Sequence, residues 1–361
     1  MSQLWRFFRS KPLNYLLILL PLALVAELSG WPPIWIFGLS AAGVIPLAGL
    51  IGEATEALAD YTGPKVGGLL NATLGNAAEL IITLVAINAG LLELVKASIT
   101  GSILGNLLLV MGASMVLGGA KNGIQRFDRR QASNNTILLI LVIIALVIPS
   151  IFGHSIGPDT SPAVEALSLG VAGVMIVLYA LGLFFSLRMP SSPLAYETDR
   201  PTRTHKPALS LSASIVILGL ATLGVVWLSE LLVGAVESVT ADLGLSEFFL
   251  GIILIPIVGN VAEHLVAVQV ALRNQMDLSI EIAVSSSLQI ALFVAPLLVF
   301  VSLALGHPLT LVFNQFELLA LIAAVMIAAL VASDGESNWL EGAALLAVYL
   351  ILAIGFFLLP A

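Results

Sequence analysis

The chain has 361 residues, of which 59% are hydrophobic and only 10% are charged, and its mean hydropathy is +1.07. This composition excludes a soluble globular domain and indicates an integral membrane protein. The absence of cysteine excludes disulfides and thiolate metal sites. The net charge of -8 argues against a basic surface that would bind nucleic acid.

Apolar stretches of about 20 residues recur along the chain, and they are too uniformly apolar for alternating barrel strands. We therefore predict an all-α integral membrane protein with about eleven transmembrane helices. The first stretch follows basic residues, but another span begins directly after it, so we interpret it as a helix and not as a signal peptide. The predicted helices span residues 13–30, 33–62, 64–89, 91–119, 134–151, 162–188, 208–235, 246–272, 277–305, 315–333 and 339–360.

The distribution of basic residues predicts an orientation. If the eleven helices alternate, thirteen of the fourteen Lys and Arg residues fall on one side, and only Lys96 falls on the other. Because basic residues collect in cytoplasmic loops, the N-terminus is predicted to be cytoplasmic and the C-terminus to lie on the opposite side. The short soluble portions favour a prokaryotic plasma membrane.

An internal repeat divides the chain. The motif GNAAE at residues 75–79 recurs as GNVAE at 259–263, and weaker matches flank both copies in the same order. Each half holds five predicted helices, and an odd number forces the second copy to be inverted in the membrane. The predicted divisions are an N-terminal segment with the first helix at 1–31, a first repeat at 32–189, a polar cytoplasmic connector at 190–207 and an inverted second repeat at 208–361.

The repeated motif carries the predicted cation site. Glu79 and Glu263 lie within predicted spans, where a carboxylate is costly unless it meets a partner or an ion. Asn76 and Asn260 precede them by three residues and so share their helix faces. Carboxylate and amide oxygens suit Ca²⁺, and two negative charges balance it. Pro256 also frees a backbone carbonyl of its helix, and such carbonyls are typical ion ligands.

The same two carboxylates suit proton coupling. A desolvated carboxylate favours its protonated form, so the empty pair should bind protons in place of the metal. Competition of Ca²⁺ and H⁺ for one site, exposed alternately to the two sides, couples their fluxes. This predicts a secondary transporter and not an enzyme, with Ca²⁺ as transported substrate, metal ligands at Glu79 and Glu263, and no cofactor.

Several other polar side chains are candidates for secondary roles. His264 follows Glu263, and it is equally consistent with tuning proton movement and with a local hydrogen bond. Glu56 and Glu237 lie toward helix ends, where they line an access vestibule or face solvent. The remaining candidates are hydroxyl and amide side chains on the helices after each motif: Ser102, Asn106, Ser286, Ser287 and Gln289.

These motifs resemble those of a known family. GNAAELI at 75–81 and GNVAEH at 259–264 are similar to the two signature repeats of the Ca²⁺/H⁺ antiporters, the cation/proton exchanger (CAX) branch of the calcium/cation antiporter superfamily. The resemblance covers most of both halves. It implies an eleven-helix exchanger that expels Ca²⁺ from the cytosol using the inward proton gradient, with the paired glutamates as the shared site. The connector at 190–207 lacks the strongly acidic loop of some members.

Four alternatives to Ca²⁺/H⁺ exchange can be compared with the sequence. A Na⁺/Ca²⁺ exchanger of the same superfamily would normally carry proline before the acidic residue of each repeat, where this chain has Ala78 and Ala262. Another divalent cation, such as Mn²⁺, would use the same ligands. A passive cation channel is a further class, but an inverted duplication with paired carboxylates favours a carrier. An intramembrane protease is disfavoured because the chain has no H-E-x-x-H motif.

Overall fold

The computed structural model describes residues 12–188 and 209–360. The predicted connector at 190–207 and the basic residues Arg6, Arg9 and Lys11 lie outside the described residues. Within these two ranges the chain is helical almost throughout, so the prediction of an all-α membrane protein is confirmed.

The helices follow one another with short connections. The first half begins with a 3₁₀ turn at Pro12–Ile18 and contains α1 (Leu19–Leu28), α2 (Pro33–Leu74), α3 (Ala77–Asn88), α4 (Leu92–Leu104), α5 (Met111–Asn122), α6 (Arg129–Ile156) and α7 (Pro162–Arg188). The second half contains α8 (Leu211–Gly234), α9 (Val236–Leu243), α10 (Glu247–Phe249), α11 (Ile255–Leu272), α12 (Met276–Gln289), α13 (Ala295–Leu305), α14 (Gln315–Val331) and α15 (Trp339–Phe357).

These elements correspond to the eleven predicted spans. In the described part of the chain, eight helices are long and apolar enough to cross a membrane. Three shorter apolar helices, Leu13–Leu28, Ala77–Asn88 and Gln315–Val331, lie within or close to the remaining predicted spans. The continuous helix predicted over 64–89 is wrong, because the helix is interrupted at Gly75 and Asn76 and residues 64–74 belong to α2. The division into two inverted repeats stays a prediction.

Several spans are irregular at mid-length. Gly63 has φ 82° and ψ 172°, which breaks α2 where the second and third predicted helices meet. Single π-helical turns at Gly105–Val110, Leu250–Leu254 and Ile290–Val294 join α4 to α5, α10 to α11 and α12 to α13. Turns of this kind interrupt the regular hydrogen-bond ladder and are frequent at functional sites.

Helix α6 is longer than predicted. It extends over Arg129–Ile156, whereas hydropathy predicted 134–151. Hydropathy detects only the apolar residues that can lie in the hydrocarbon core. The helix itself begins earlier, in the polar residues that precede this apolar stretch.

A short antiparallel ribbon was not predicted. Strands β1 (Gln125–Arg126) and β2 (Glu336–Ser337) pair with Gln125 opposite Ser337 and Arg126 opposite Glu336. Arg126 Nε also donates to Glu336 Oε1 at 3.1 Å. The ribbon therefore connects the loop after α5 to the loop before α15.

The two spans at the centre of the molecule are those that follow the motifs. In Leu92–Asn122 and Met276–Leu305, 72% and 61% of the most apolar window is buried, against 22% in Pro162–Phe185 and Trp339–Phe357. Peripheral helices expose large apolar side chains such as Leu220. The central spans are thus shielded by the others, and polar groups on them are kept from lipid.

Candidate cation site

The first motif lies at a break between two helices. Helix α2 ends at Leu74, and Asn76, with φ -97° and ψ 22°, precedes α3. Glu79 is in the first turn of α3 and is only 1% exposed. The free N–H groups and the dipole of a helix N-terminus favour negative charge at this position. The break therefore presents a carboxylate in the interior at a place where the backbone stabilises it.

Glu79 is held by side chains from two other helices. Ser102 Oγ, on α4, donates to Glu79 Oε1. Asn260 Nδ2, on α11, lies 3.5 Å from Glu79 Oε2 and 3.3 Å from Ser102 Oγ. The asparagine of the second motif thus reaches the glutamate of the first, and all three side chains are buried.

Glu263 lies on the other side of the same junction. A Cβ atom at Gly75 would be 3.4 Å from Glu263 Oε1, and one at Gly259 would be 3.5 Å from Glu79 Cβ. The glycine of each motif therefore faces the glutamate of the other. Ser286, on α12, lies near the Glu263 side chain. Glu263 Oε2 is buried and has no hydrogen-bond partner among the residues that the structure describes.

A chain of amide and hydroxyl groups surrounds the glutamates. Asn76 Nδ2 donates to Gln289 Oε1 at 2.8 Å, and Ser286 Oγ donates to Asn76 Oδ1 at 3.4 Å. Asn106 Nδ2 donates to Ser286 Oγ at 3.0 Å, and Asn106 Oδ1 lies 3.2 Å from His264 Nε2. These contacts orient both ends of the Asn76 amide and connect residues of both halves.

Most of the predicted site residues are thus brought together, but three are not part of this network. Ser287 is buried, and its hydroxyl donates to the carbonyl of Ala283 on its own helix at 2.9 Å. Glu56 and Glu237 are exposed, and none of the hydrogen bonds described above involves them. Both of the predicted alternatives, a place in an access vestibule and simple exposure to solvent, stay predictions.

The donor atoms define what the site could bind. Among residues 12–188 and 209–360, no three His, Cys, Asp or Glu side chains are grouped so as to hold a metal ion. A cation at the motif junction would therefore depend on two carboxylates with neutral amide and hydroxyl oxygens. Such an all-oxygen set suits a hard cation such as Ca²⁺ and does not favour a metal that prefers nitrogen or sulfur.

Close packing between α4 and the start of α11 fixes this arrangement. A Cβ at Gly101 would overlap the carbonyl oxygen of Ile252 and would lie 2.7 Å from Pro256 Cγ. The carbonyl that the proline frees is therefore directed at the backbone of α4. Ser102, the partner of Glu79, directly follows Gly101 in sequence, so its position depends on this contact.

Sequence reasoning missed a buried carboxylate, Glu317, which is 1% exposed near the start of α14. Its Oε1 accepts a hydrogen bond from Thr100 Oγ1 at 3.0 Å. Lys96, the one basic residue that the predicted orientation places on the opposite side, is also buried and donates to the carbonyl of Val312 at 3.2 Å. The signal available in the sequence was Asn314 three residues before Glu317, a spacing typical of a helix cap.

The helical membrane fold and the paired buried carboxylates together define a multi-pass membrane protein of the cation transporter class. Residues 32–188 and 213–358 match the family described as sodium/calcium exchanger protein, and the chain belongs to this family. The resemblance to the Ca²⁺/H⁺ antiporter branch is confirmed by the relatives that follow.

The chain is 44% identical over 357 residues to a Ca(2+)/H(+) antiporter of Aphanothece halophytica, covering 96% of both chains. It is 45% identical over 343 residues to the Ca(2+)/H(+) antiporter ChaA of Bacillus subtilis, covering 94% of this chain and 96% of the relative. The solved structure of native YfkE superposes with a TM-score of 0.83 at 42% identity, covering 95% of this chain and 100% of that chain.

Proposed function

We propose that this protein exchanges Ca²⁺ for H⁺ across a membrane by alternating access, with Glu79 and Glu263 as the shared cation and proton site. The observation that carries the proposal is the reciprocal placement of the two motifs, in which the glycine of each faces the glutamate of the other. The antiporters of similar sequence support Ca²⁺ and H⁺ as the transported ions.

The proposed mechanism follows from competition at one site. A buried carboxylate without a cation is stabilised by a proton, whereas Ca²⁺ requires the ionised form. Calcium binding therefore releases protons from the Glu79 and Glu263 pair, and protons arriving from the other side displace Ca²⁺. Asn76 and Asn260 supply neutral oxygens, while Ser102, Asn106, Ser286, Gln289 and His264 orient the site.

The direction of transport depends on the orientation in the membrane. With a cytoplasmic N-terminus in a prokaryotic plasma membrane, the inward proton gradient expels Ca²⁺ from the cytosol. The basic residues support this orientation, and the exception at Lys96 has a local cause, because its ammonium group is satisfied by the Val312 carbonyl and by Glu93 at 2.5 Å.

The test is Ca²⁺ uptake into proteoliposomes with an acidic interior, for the variants Glu79→Gln and Glu263→Gln. Both should lose uptake to the level of empty vesicles, because glutamine keeps the shape but loses the charge that Ca²⁺ needs. Glu230→Gln, at an exposed position on α8, is the control and should transport normally. Normal uptake by both site variants would refute the assignment.

Three further arms of the assay separate the alternatives. Uptake that follows an imposed Na⁺ gradient and ignores the pH gradient would identify Na⁺ as counter-ion. Uptake that continues without any imposed gradient and without vesicle alkalinisation would identify a passive channel. Replacement of Ca²⁺ by Mn²⁺ in the same assay measures selectivity between the two.

A further inference from the structure

Glu317 caps its own helix with only one of its two carboxylate oxygens. Its Oε2 accepts from the backbone N–H of Asn314 at 2.8 Å, and Asn314 Oδ1 accepts from the N–H of Glu317 at 2.9 Å. This reciprocal pair is a capping box. The second oxygen, Oε1, is not needed for the cap and accepts from Thr100 Oγ1 on α4.

The chain offers an internal comparison at the start of α15. Glu341 forms the same capping box with Asn338. Its Oε2 accepts from the N–H of Asn338 at 3.2 Å, and Asn338 Oδ1 accepts from the N–H of Glu341 at 3.1 Å. It is only partly buried, whereas Glu317 is almost completely buried. A capping glutamate therefore does not have to be buried to stabilise its helix, so capping alone does not account for the burial of Glu317 and its contact with α4.

Two side chains of α4 contact the segment that leads into α14. Lys96 and Thr100 are one helical turn apart and so lie on one face of the helix. Lys96 Nζ donates to the carbonyl of Val312, and Thr100 donates to Glu317. This face of α4 is thus attached to residues 312–317 by two polar contacts.

The opposite face of α4 carries the contact to the cation site. Ser102 is two residues after Thr100, which corresponds to a rotation of about 200° around the helix. Its hydroxyl donates to Glu79. Any rotation of α4 about its axis would therefore change the Thr100 contact and the Ser102 contact together.

We propose that Glu317 is a positioning residue for ion exchange, which, through its hydrogen bond to Thr100, fixes the rotation of α4 and holds the Ser102 hydroxyl on Glu79. The proposal deepens the function proposed above and rests on Glu79 being a cation ligand. Glu317 does not contact the transported ion in this arrangement. Its removal changes the affinity of the site by letting Ser102 move.

The decisive variant is Thr100→Val, which removes the hydroxyl, keeps the shape and leaves both capping boxes intact. In the proteoliposome assay its half-saturating Ca²⁺ concentration should rise about threefold to tenfold, the range expected when a hydrogen bond to a charged group is lost. Thr100→Ser retains the hydroxyl and should restore the value of the unmodified protein. A role limited to stability would lower the unfolding temperature and leave the half-saturating concentration unchanged.

Glu317→Ala and Glu341→Ala form the matched pair. Both remove one capping box, but only Glu317→Ala also removes the contact to α4, so only it should raise the half-saturating Ca²⁺ concentration. Equal values for these two variants, or an unchanged value for Thr100→Val, would overturn the proposal. If Glu317→Ala does not fold, the comparison of Thr100→Val with Thr100→Ser decides.

Glu79→Gln in the same preparation separates the two proposals. Loss of exchange in Glu79→Gln with an unchanged Thr100→Val would reject the role of Glu317 alone. Retained exchange in Glu79→Gln would reject the site itself, whatever the Thr100 variants do.

Discussion

Replacing Gly101 by alanine tests the contact that sets the distance between α4 and α11. A Cβ at this position would overlap the carbonyl oxygen of Ile252 and would lie 2.6 Å from its carbonyl carbon. It would also lie 2.7 Å from Pro256 Cγ. The neighbouring atoms belong to a backbone carbonyl and to a proline ring, which cannot rotate away, so the two helices must separate.

The size of the effect follows from these distances. Ordinary contacts begin at 3.4 Å, so the proline contact alone is short by about 0.7 Å. Forcing an extra carbon into a well-packed interior typically costs about 1–3 kcal/mol. Alanine in place of a helical glycine regains about 0.5–1 kcal/mol. The net cost is therefore about 0–2.5 kcal/mol, and because the Cβ also overlaps the Ile252 carbonyl oxygen we expect Gly101→Ala to lose stability near the upper end, about 2 kcal/mol.

The assay is thermal unfolding in detergent, with Gly105→Ala as the control. Apart from its own helical segment, no described residue has an atom within 4 Å of a Cβ placed at Gly105, so alanine fits there without strain. Gly101→Ala should unfold several degrees below the unmodified protein, and Gly105→Ala should not unfold earlier. If both variants unfolded at the same temperature, the inferred contact between α4 and α11 would be wrong.

Two other predictions concern the amide network and the ribbon. Gln289→Leu removes the acceptor for Asn76 Nδ2, so the Asn76 amide is no longer oriented and the half-saturating Ca²⁺ concentration in vesicles should rise several-fold. An unchanged concentration would show that the amide needs no such support. Arg126→Ala breaks only an exposed ion pair with Glu336 and should change the free energy of unfolding by less than about 1 kcal/mol. Gln125→Ala, which removes a buried amide that donates to Ala271 O and Asn274 Oδ1 at 3.0 Å, should cost about 1–3 kcal/mol, and equal losses in these two variants would contradict the reasoning.

The number of helices could be predicted because hydropathy measures the property that membrane insertion requires. Both ends of the span at Leu92–Asn122 were predicted within a few residues. The candidate glutamates could be identified because a carboxylate within an apolar span is costly. A glutamate that recurs in two copies of the same motif is therefore expected to be functional. Both inferences depend on single segments and need no knowledge of which helices touch.

Contacts between helices could not be obtained in this way. Ser286 and Ser287 are adjacent in sequence, and both were candidates. One hydroxyl contacts Asn76, while the other donates to the backbone of its own helix. The two side chains differ by about 100° around the helix, and the rotation of a helix in a bundle is set by its neighbours.

The ribbon and the buried carboxylate at position 317 were missed for a related reason. Strands of two residues carry no hydrophobic pattern, and Arg126 and Glu336 are far apart in the chain. The spacing of Asn314 and Glu317 predicts a cap, which is present, but it does not indicate that one oxygen reaches Thr100. A short sequence pattern can identify a helix cap, because all of its residues are neighbours in the chain. The contact of Glu317 with Thr100 depends on how two helices pack, and only the structure shows it.

The two motifs are nearly identical in sequence, yet their glutamates have different surroundings. Glu79 accepts hydrogen bonds from Ser102 and Asn260, one donor from each half of the chain. Glu263 Oε2 is buried and lacks a hydrogen-bond partner in the described ranges, and the nearby Ser286 hydroxyl donates to Asn76. A buried carboxylate oxygen without a partner is costly, so a cation or proton bound at this oxygen would remove that cost. The repeated motif therefore places two carboxylates at one junction with unequal neighbours, and in the proposed mechanism the oxygen without a partner is the one that an ion would stabilise.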